Sequence, residues 1–201
     1  MMLSAPTNTQ SKTDIRQHMR KQRSKLSKGE QKLAALALKK QLLRHPVFIR
    51  SQRIAFYLAN DNEIDPMPLL QAAWAMGKQC YLPVLHPFKS GHLLFSRYRK
   101  HDKLIKNRYG IAEPRIRSQD QLKSSALDLV LTPLVAFDNQ GNRLGMGGGY
   151  YDRTFYERNN RNRFKPILIG LSHECQKVDL LAVDSWDIPV TAIMTDRQIY
   201  Q

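Results

Sequence analysis

"DLVLTPLVAFDNQGNRLGMGGGYYDRTF", residues 128–155, decides how this chain folds. Its first seven residues form an apolar run that reads as a buried strand, and from Tyr150 the pattern turns helical to about Asn159. Between the two lies a loop in which Gly145, Gly147, Gly148 and Gly149 occupy four of five consecutive positions. A glycine-rich loop that feeds a helix N-terminus points unpaired amides and the positive end of the helix dipole at one spot, with no Cβ in the way. That arrangement suits an anion, above all phosphate. Arg143 adds a fork able to grip phosphate oxygens, and Asp152, in the first helical turn, is placed to hold a magnesium ion that bridges phosphates. The spacing is neither of the two common nucleotide fingerprints. Gly145 and Gly147 are followed by Tyr150 where GxGxxG needs its third glycine, and Gly141 is followed five places on by Met146, which excludes GxxxxGK[ST].

Working outward, strands and helices alternate. "RIAFYL" (53–58), "CYLPVL" (80–85), "HLLFSRY" (92–98), "PILIGLS" (166–172) and "TAIMT" (191–195) read as further strands, and "DPMPLLQAAWAMG" as a helix opened by Asp65 and closed by Gly77. Upstream, the spacing predicts a helix over 12–25 with Ile15 and Met19 on one face. Ser27 and Glu30 have capping-box spacing for a second helix over 28–43, which carries Leu33, Leu36, Ala37 and Leu43 on its inner face and stops at Pro46. The expected fold class is α/β, a mostly parallel central sheet with helices on both faces and basic helices at the N-terminus. With no repeat and no Gly/Ser linker, 1–201 reads as a single domain in which residues 1–11 are expected to be disordered.

Composition narrows the partners. The net charge is +15, of which residues 1–53 supply +11, a field that attracts polyanions: nucleic acid, nucleotides, or small molecules bearing several carboxylates. Cys80 and Cys175 belong to no CxxC pair, so a disulfide framework is not expected and a cytoplasmic setting fits. The start of the chain is polar and the longest apolar run, 33–43, is broken by two lysines, so neither a secretion signal nor a membrane span is expected. The six histidines form no HxxH or HExxH pattern.

Read whole, "GNRLGMGGGYYDR" preceded by "TPLVAFD" resembles the signature of the 5-formyltetrahydrofolate cyclo-ligase (methenyltetrahydrofolate synthetase) family. "KTDIR" (12–16), "YLANDNEID" (57–65), "YGIAEP" (109–114) and "SWDIPV" (185–190) look like its other blocks, in the same order. The resemblance implies an enzyme that uses ATP as co-substrate and Mg2+ to convert 5-formyltetrahydrofolate into 5,10-methenyltetrahydrofolate.

By that resemblance, Lys12 and Arg16 reach the nucleotide phosphates. The loop Arg143, Leu144, Gly145, Met146, Gly147, Gly148, Gly149, Tyr150 and Tyr151 wraps them, and Asp152 and Asp187 hold the metal. Glu63 and Leu58 bind the folate, with Met146 to Tyr150 facing both substrates; Tyr57 or Tyr150 is the aromatic that stacks on the pterin. Some members carry a lysine or arginine inside the glycine loop, where this sequence has Met146 and Gly148, so Arg143 becomes the expected catalytic cation. Without the resemblance, Glu63 reads as part of a solvated turn and Glu113 as loop surface. The substrate is expected to be accepted with a polyglutamate tail and the protein to be monomeric. A nucleic-acid-binding protein is the rival class suggested by the charge, but no recognition motif appears and no nucleic-acid partner is expected; a different ATP-dependent ligase or kinase sharing the loop is the third reading.

Overall fold

The computed structural model describes residues 11–160 and 166–201; the expected disorder of 1–11 falls almost wholly outside them. Helix α1 (Lys12–Ser24) starts at Ser11, whose hydroxyl accepts from the amide of Asp14. Helix α2 (Lys28–Arg44) opens with the expected capping box, Ser27 and Glu30 satisfying each other's amides. Pro46 stops α2 and also opens a short helix, α3 (Pro46–Arg50), since proline has no N–H to lose at a first helical turn.

The chain continues through β1 (Arg53–Ala55), α4 (Met67–Ala75), β2 (Gln79–Leu85), β3 (Leu93–Arg97), β4 (Leu104–Lys106), β5 (Ala112–Pro114) and β6 (Gln121–Leu122). It then forms β7 (Leu129–Pro133), β8 (Ala136–Phe137), β9 (Arg143–Leu144), α5 (Tyr150–Asn160), β10 (Ile167–Leu171), β11 (Ala192–Met194) and β12 (Ile199–Tyr200).

The main sheet has eight strands in the order β12-β11-β10-β7-β1-β2-β3-β6. Strands β2, β1, β7, β10 and β11 are mutually parallel, while β3, β6 and β12 extend the two edges antiparallel. The α/β class and the mostly parallel sheet are therefore as expected. Pairing alternates face by face along each strand. Ile54, Leu129, Leu131 and Ile169 enter the core shared with Leu38 and Leu42 of α2 and Leu69, Leu70 and Ala73 of α4. Their neighbours Ala55, Val130 and Leu168 point the other way, onto Phe155 of α5. Each fully buried Leu, Ile or Phe here contributes about 1.5–3 kcal/mol.

One helix face is corrected. On α2, Leu33 is 68% exposed and Leu36 43% exposed, while Ala34, Ala35, Leu38 and Leu42 are buried. The stretch "LAALAL" is apolar nearly all round, so periodicity does not choose a face. The neighbouring α4 chooses it: Ala34, Leu38 and Leu42 share one core cluster with Leu69, Leu70 and Ala73. The first strand also ends at Ala55 rather than 58: the chain beyond leaves the sheet while Phe56 and Tyr57 stay buried.

Counting only the parallel strands in chain order, their spatial order is 2-1-3-4-5, so the connection reverses direction between β1 and β7. In open α/β sheets the crevice outside the carboxyl ends of the strands at such a reversal is where ligands bind.

Candidate active site

A cavity of about 1190 Å3 opens at that reversal. Lys12, Arg16, Tyr57, Leu58, Glu63, the whole stretch Arg143 to Asp152, and Asp187 all line it, so every residue singled out above meets in one place. The volume exceeds the 300–1,000 Å3 of an ordinary single-ligand pocket.

The glycine loop forms one wall. Gly147 and Gly149 lie at φ +93° and +62°, a conformation that other residues adopt at a cost. A Cβ at Gly149 would stand 2.8 Å from Nη1 of Arg153, and one at Gly147 would stand 3.3 Å from Cζ of Arg16. The missing side chains thus make room for two arginines. Arg16 Nε donates to the carbonyl of Gly145 at 2.9 Å, and Arg153 donates to the carbonyl of Gly148 and, at 3.1 Å, to that of Gly91. The carbonyl of Gly149 accepts the first bond of α5 from Arg153 N, so the opening amides of that helix have no partner within it.

Arg143 and Asp152 are bound to each other: Nη2 donates to Oδ1 at 2.5 Å, and the amide of Ile188 donates to the same oxygen at 3.2 Å. Arg143 Nε donates to the carbonyl of Ile188, which joins the loop to the segment carrying Asp187. Lys12 Nζ donates to Asp184 at 2.6 Å and to Asp187 at 3.4 Å, and these carboxylates, Asp184 first, hold its pKa above the usual lysine value. Asp187 also accepts from the amide of Asp184, so it caps a turn and lines the cavity at once.

Among the described residues no group of three His, Cys, Asp or Glu side chains could hold a metal ion. Asp152 and Asp187 fit magnesium only in the manner usual for that ion, with one or two carboxylates and the remaining oxygens drawn from phosphates and water. Their described partners all fall on Oδ1 of Asp152 and Oδ2 of Asp187.

The opposite wall is apolar and aromatic around one carboxyl group. Glu63 Oε2 accepts from the amide of Asn60 at 3.1 Å. Burial pushes its pKa up to about 7, outweighing the pull of that amide and of Arg23. Burial likewise raises Tyr57 and Tyr151, with the Glu63 charge as the next cause for each. Tyr57 donates its hydroxyl to the carbonyl of Ile64 at 2.6 Å and lies 3% exposed, which makes it a strut of this wall. Tyr150 stands at the mouth. Its hydroxyl meets Tyr109 Oη at 2.8 Å and Arg108 Nη2 at 3.0 Å, and these two contacts lower its pKa.

Three residues escaped the sequence reading. Arg153 lies inside the quoted signature, one place after Asp152, and Asp184 stands three before Asp187; those adjacencies were the available signals. Glu113 is corrected from loop surface: it is 8% exposed and accepts from Leu85 N and Asn107 Nδ2, pinning the β4–β5 hairpin against β2 beside the cavity. The pairing of β4 with β5 brings Asn107 to Glu113, and the packing of β5 beside β2 brings Leu85.

Fold and site together define an open α/β protein with a glycine-rich loop feeding a helix N-terminus and a carboxyl-bearing wall, both lining one cavity. A sequence model described as the 5-formyltetrahydrofolate cyclo-ligase family matches residues 8–196. The chain is 40% identical over 183 residues to the 5-formyltetrahydrofolate cyclo-ligase of Escherichia coli, covering 91% of this chain and 99% of that one. It is 41% identical over 187 residues to the enzyme of the same name from Haemophilus influenzae, covering 93% and 98%. The solution structure of Aquifex aeolicus 5,10-methenyltetrahydrofolate synthetase superposes with a TM-score of 0.78 at 28% identity, over 94% of this chain and 92% of that one. The chain belongs to the 5-formyltetrahydrofolate cyclo-ligase family.

Proposed function

We propose that this protein closes 5-formyltetrahydrofolate to 5,10-methenyltetrahydrofolate at the expense of ATP, releasing ADP and phosphate. The observation that carries this reading is one cavity with two unlike walls: a glycine loop with cations at a helix N-terminus, and the half-buried carboxyl group of Glu63 beside aromatics.

The N-formyl group is an amide, and ring closure through N10 must expel its oxygen, a poor leaving group. Transfer of the γ-phosphoryl group from ATP to the formyl oxygen lets that oxygen depart as phosphate after N10 attacks the formyl carbon. ADP is released from the first step and phosphate from the second. The protein's task is to hold the two substrates in line and to neutralise charge. Lys12 and Arg16 bind the phosphates, the amides from Gly145 to Tyr151 wrap them, and Arg143 is the catalytic cation facing the group in transfer. Asp152 and Asp187 would hold Mg2+, which supplies charge neutralisation at the phosphate oxygens. For Lys12 and Arg143 to serve the nucleotide, their ion pairs with Asp184 and Asp152 must loosen or be shared, and the incoming phosphates and Mg2+ supply the compensating charges.

Glu63 accepts from the N–H groups of the pterin ring, Leu58 packs on it, and Tyr150 stacks from the mouth while Met146 to Gly149 face both substrates. The basic N-terminal helices recruit ATP and the carboxylates of a polyglutamate tail rather than nucleic acid, and the protein works as a cytoplasmic monomer. Among the described residues no helix is long and apolar enough to cross a membrane.

The test is an assay of purified protein with 5-formyltetrahydrofolate and Mg-ATP, following the near-ultraviolet absorbance of the methenyl product together with ADP. One ADP per methenyl product, abolished by EDTA, is expected. ADP without methenyl product would assign the site to another acceptor, and neither signal from folded protein would remove the enzymatic reading.

A further inference from the structure

Glu63 stands on a turn that its own residues disfavour. Asp61 and Asn62 lie at φ +50° and +58°, the non-glycine residues at positive φ among those described. Aspartate and asparagine tolerate this conformation better than other side chains, but two in succession need to be held. Within the turn, the amide of Glu63 donates to the carbonyl of Asn60 at 3.0 Å. Two further grips come from outside. Gln31 of α2 donates to Asn62 Oδ1 at 3.3 Å, and Asp61 Oδ2 accepts from Arg20 Nε at 2.6 Å and Arg23 Nη2 at 2.8 Å, both from α1.

The two arginines differ in kind. Arg20 is half in solvent, whereas Arg23 is wholly buried and its Nε and Nη1 have no hydrogen-bond partner among the described residues. A guanidinium taken fully out of water with one counter-ion is a costly element, and one that buried hydrophobic residues commonly replace without loss. Anchoring α1 does not require it. Ile15 and Met19 already bury that helix against Val135, Ala136 and Leu144, and Lys12 and Arg16 tie its first turns to Asp184 and Gly145. What Arg23 supplies that an apolar residue would not is a fixed charge under Asp61.

We infer that Arg23 is a positioning residue for folate recognition: through its ion pair with Asp61 it holds the left-handed turn Asp61–Asn62 and so sets where Glu63 stands in the cavity. The inference rests on the assignment of Glu63 to the pterin. It also gives α1 two duties, with Lys12 and Arg16 serving the phosphate wall and Arg23 the carboxyl wall.

KM values for 5-formyltetrahydrofolate and for ATP, measured separately with melting curves on each variant, test it. Arg23→Met should raise the folate KM about tenfold or more and leave the ATP KM within about twofold, since the lost contact is a charge-assisted one. Asp61→Asn added to Arg23→Met should bring the folate KM most of the way back, because asparagine keeps the left-handed preference and leaves no unpaired charge. Should Arg23→Met fold poorly, Asp61→Val is the second variant. A β-branched residue resists positive φ, so the same rise confined to folate is expected at a partly exposed position. Equal rises in both KM values, or a lower melting temperature with both unchanged, would reduce Arg23 to a structural residue and overturn the inference. Glu63→Gln separates the two levels. If it raises the folate KM while Arg23→Met and Asp61→Val do not, the positioning role is wrong; if it has no effect, the pterin assignment fails and the inference with it.

Discussion

The two walls of the cavity are built on opposite principles. The phosphate wall is backbone and permanent charge: glycine carbonyls held by Arg16 and Arg153, helix amides, and Arg143 paired with Asp152. The wall proposed for folate has the half-buried carboxyl group of Glu63, the buried Tyr57, the half-buried Tyr151 and a left-handed turn. The Glu63 carboxyl group, its pKa pushed up to about 7 by burial, changes form inside the working pH range. Folate binding should therefore depend on pH more strongly than nucleotide binding does.

The largest effect expected is on the phosphate wall. Arg143→Ala and Asp152→Ala should each lower kcat/KM for ATP by about 10^2–10^3-fold with the fold intact by circular dichroism; near-normal turnover in either would remove that residue from the site. Next, Glu63→Gln should raise the folate KM by roughly 10–100-fold, the worth of hydrogen bonds to a charged group, and leave the ATP KM alone. A change in both would show that the walls are not separable.

The pH behaviour sharpens the contrast. In the wild type the folate KM should fall as pH rises from 6 to 8 and Glu63 becomes an acceptor-only carboxylate, a trend that Glu63→Gln should abolish. Stability runs the other way. The folded pKa of about 7 lies above the ordinary 4.5, so the folded state binds the extra proton and this group's contribution declines as pH climbs between those values. Glu63→Gln should consequently raise the melting temperature at pH 8 relative to pH 5, by roughly 5 °C. An equal change at both pH values would show that Glu63 titrates normally.

Gly149→Ala should raise the ATP KM about tenfold, through left-handed strain and the 2.8 Å approach of Arg153, and the folate KM by less. The smallest effect concerns the basic helices. Raising ionic strength from 50 to 200 mM should increase the KM of a polyglutamylated folate roughly two- to threefold more than that of the monoglutamate. Equal responses would count against recruitment by α1 and α2.

Much of this molecule was readable along the chain because its signals are local. The Ser27–Glu30 box, the strands at 80–85 and 166–172, and the strand–glycine loop–helix unit at 128–155 each depend on residues a few places apart. Arg143, the glycines and Asp152 belong to such a unit, so they were found together, although Arg153 beside them was not. Direction and partnership were not local. Whether β3 runs antiparallel, which face of an all-round apolar α2 turns inward, and that Glu113 is buried were decided by what packs alongside. The same holds for Arg23, one of thirteen basic residues in the first 53 until folding places it, fully buried, against an aspartate 38 positions away. Sequence by itself determined the longer helices and strands, the glycine loop and the residue types proposed to meet a phosphate. Tertiary structure alone decided which charges lose their water and which carboxyl group shifts, because desolvation depends on atoms brought in from the rest of the chain.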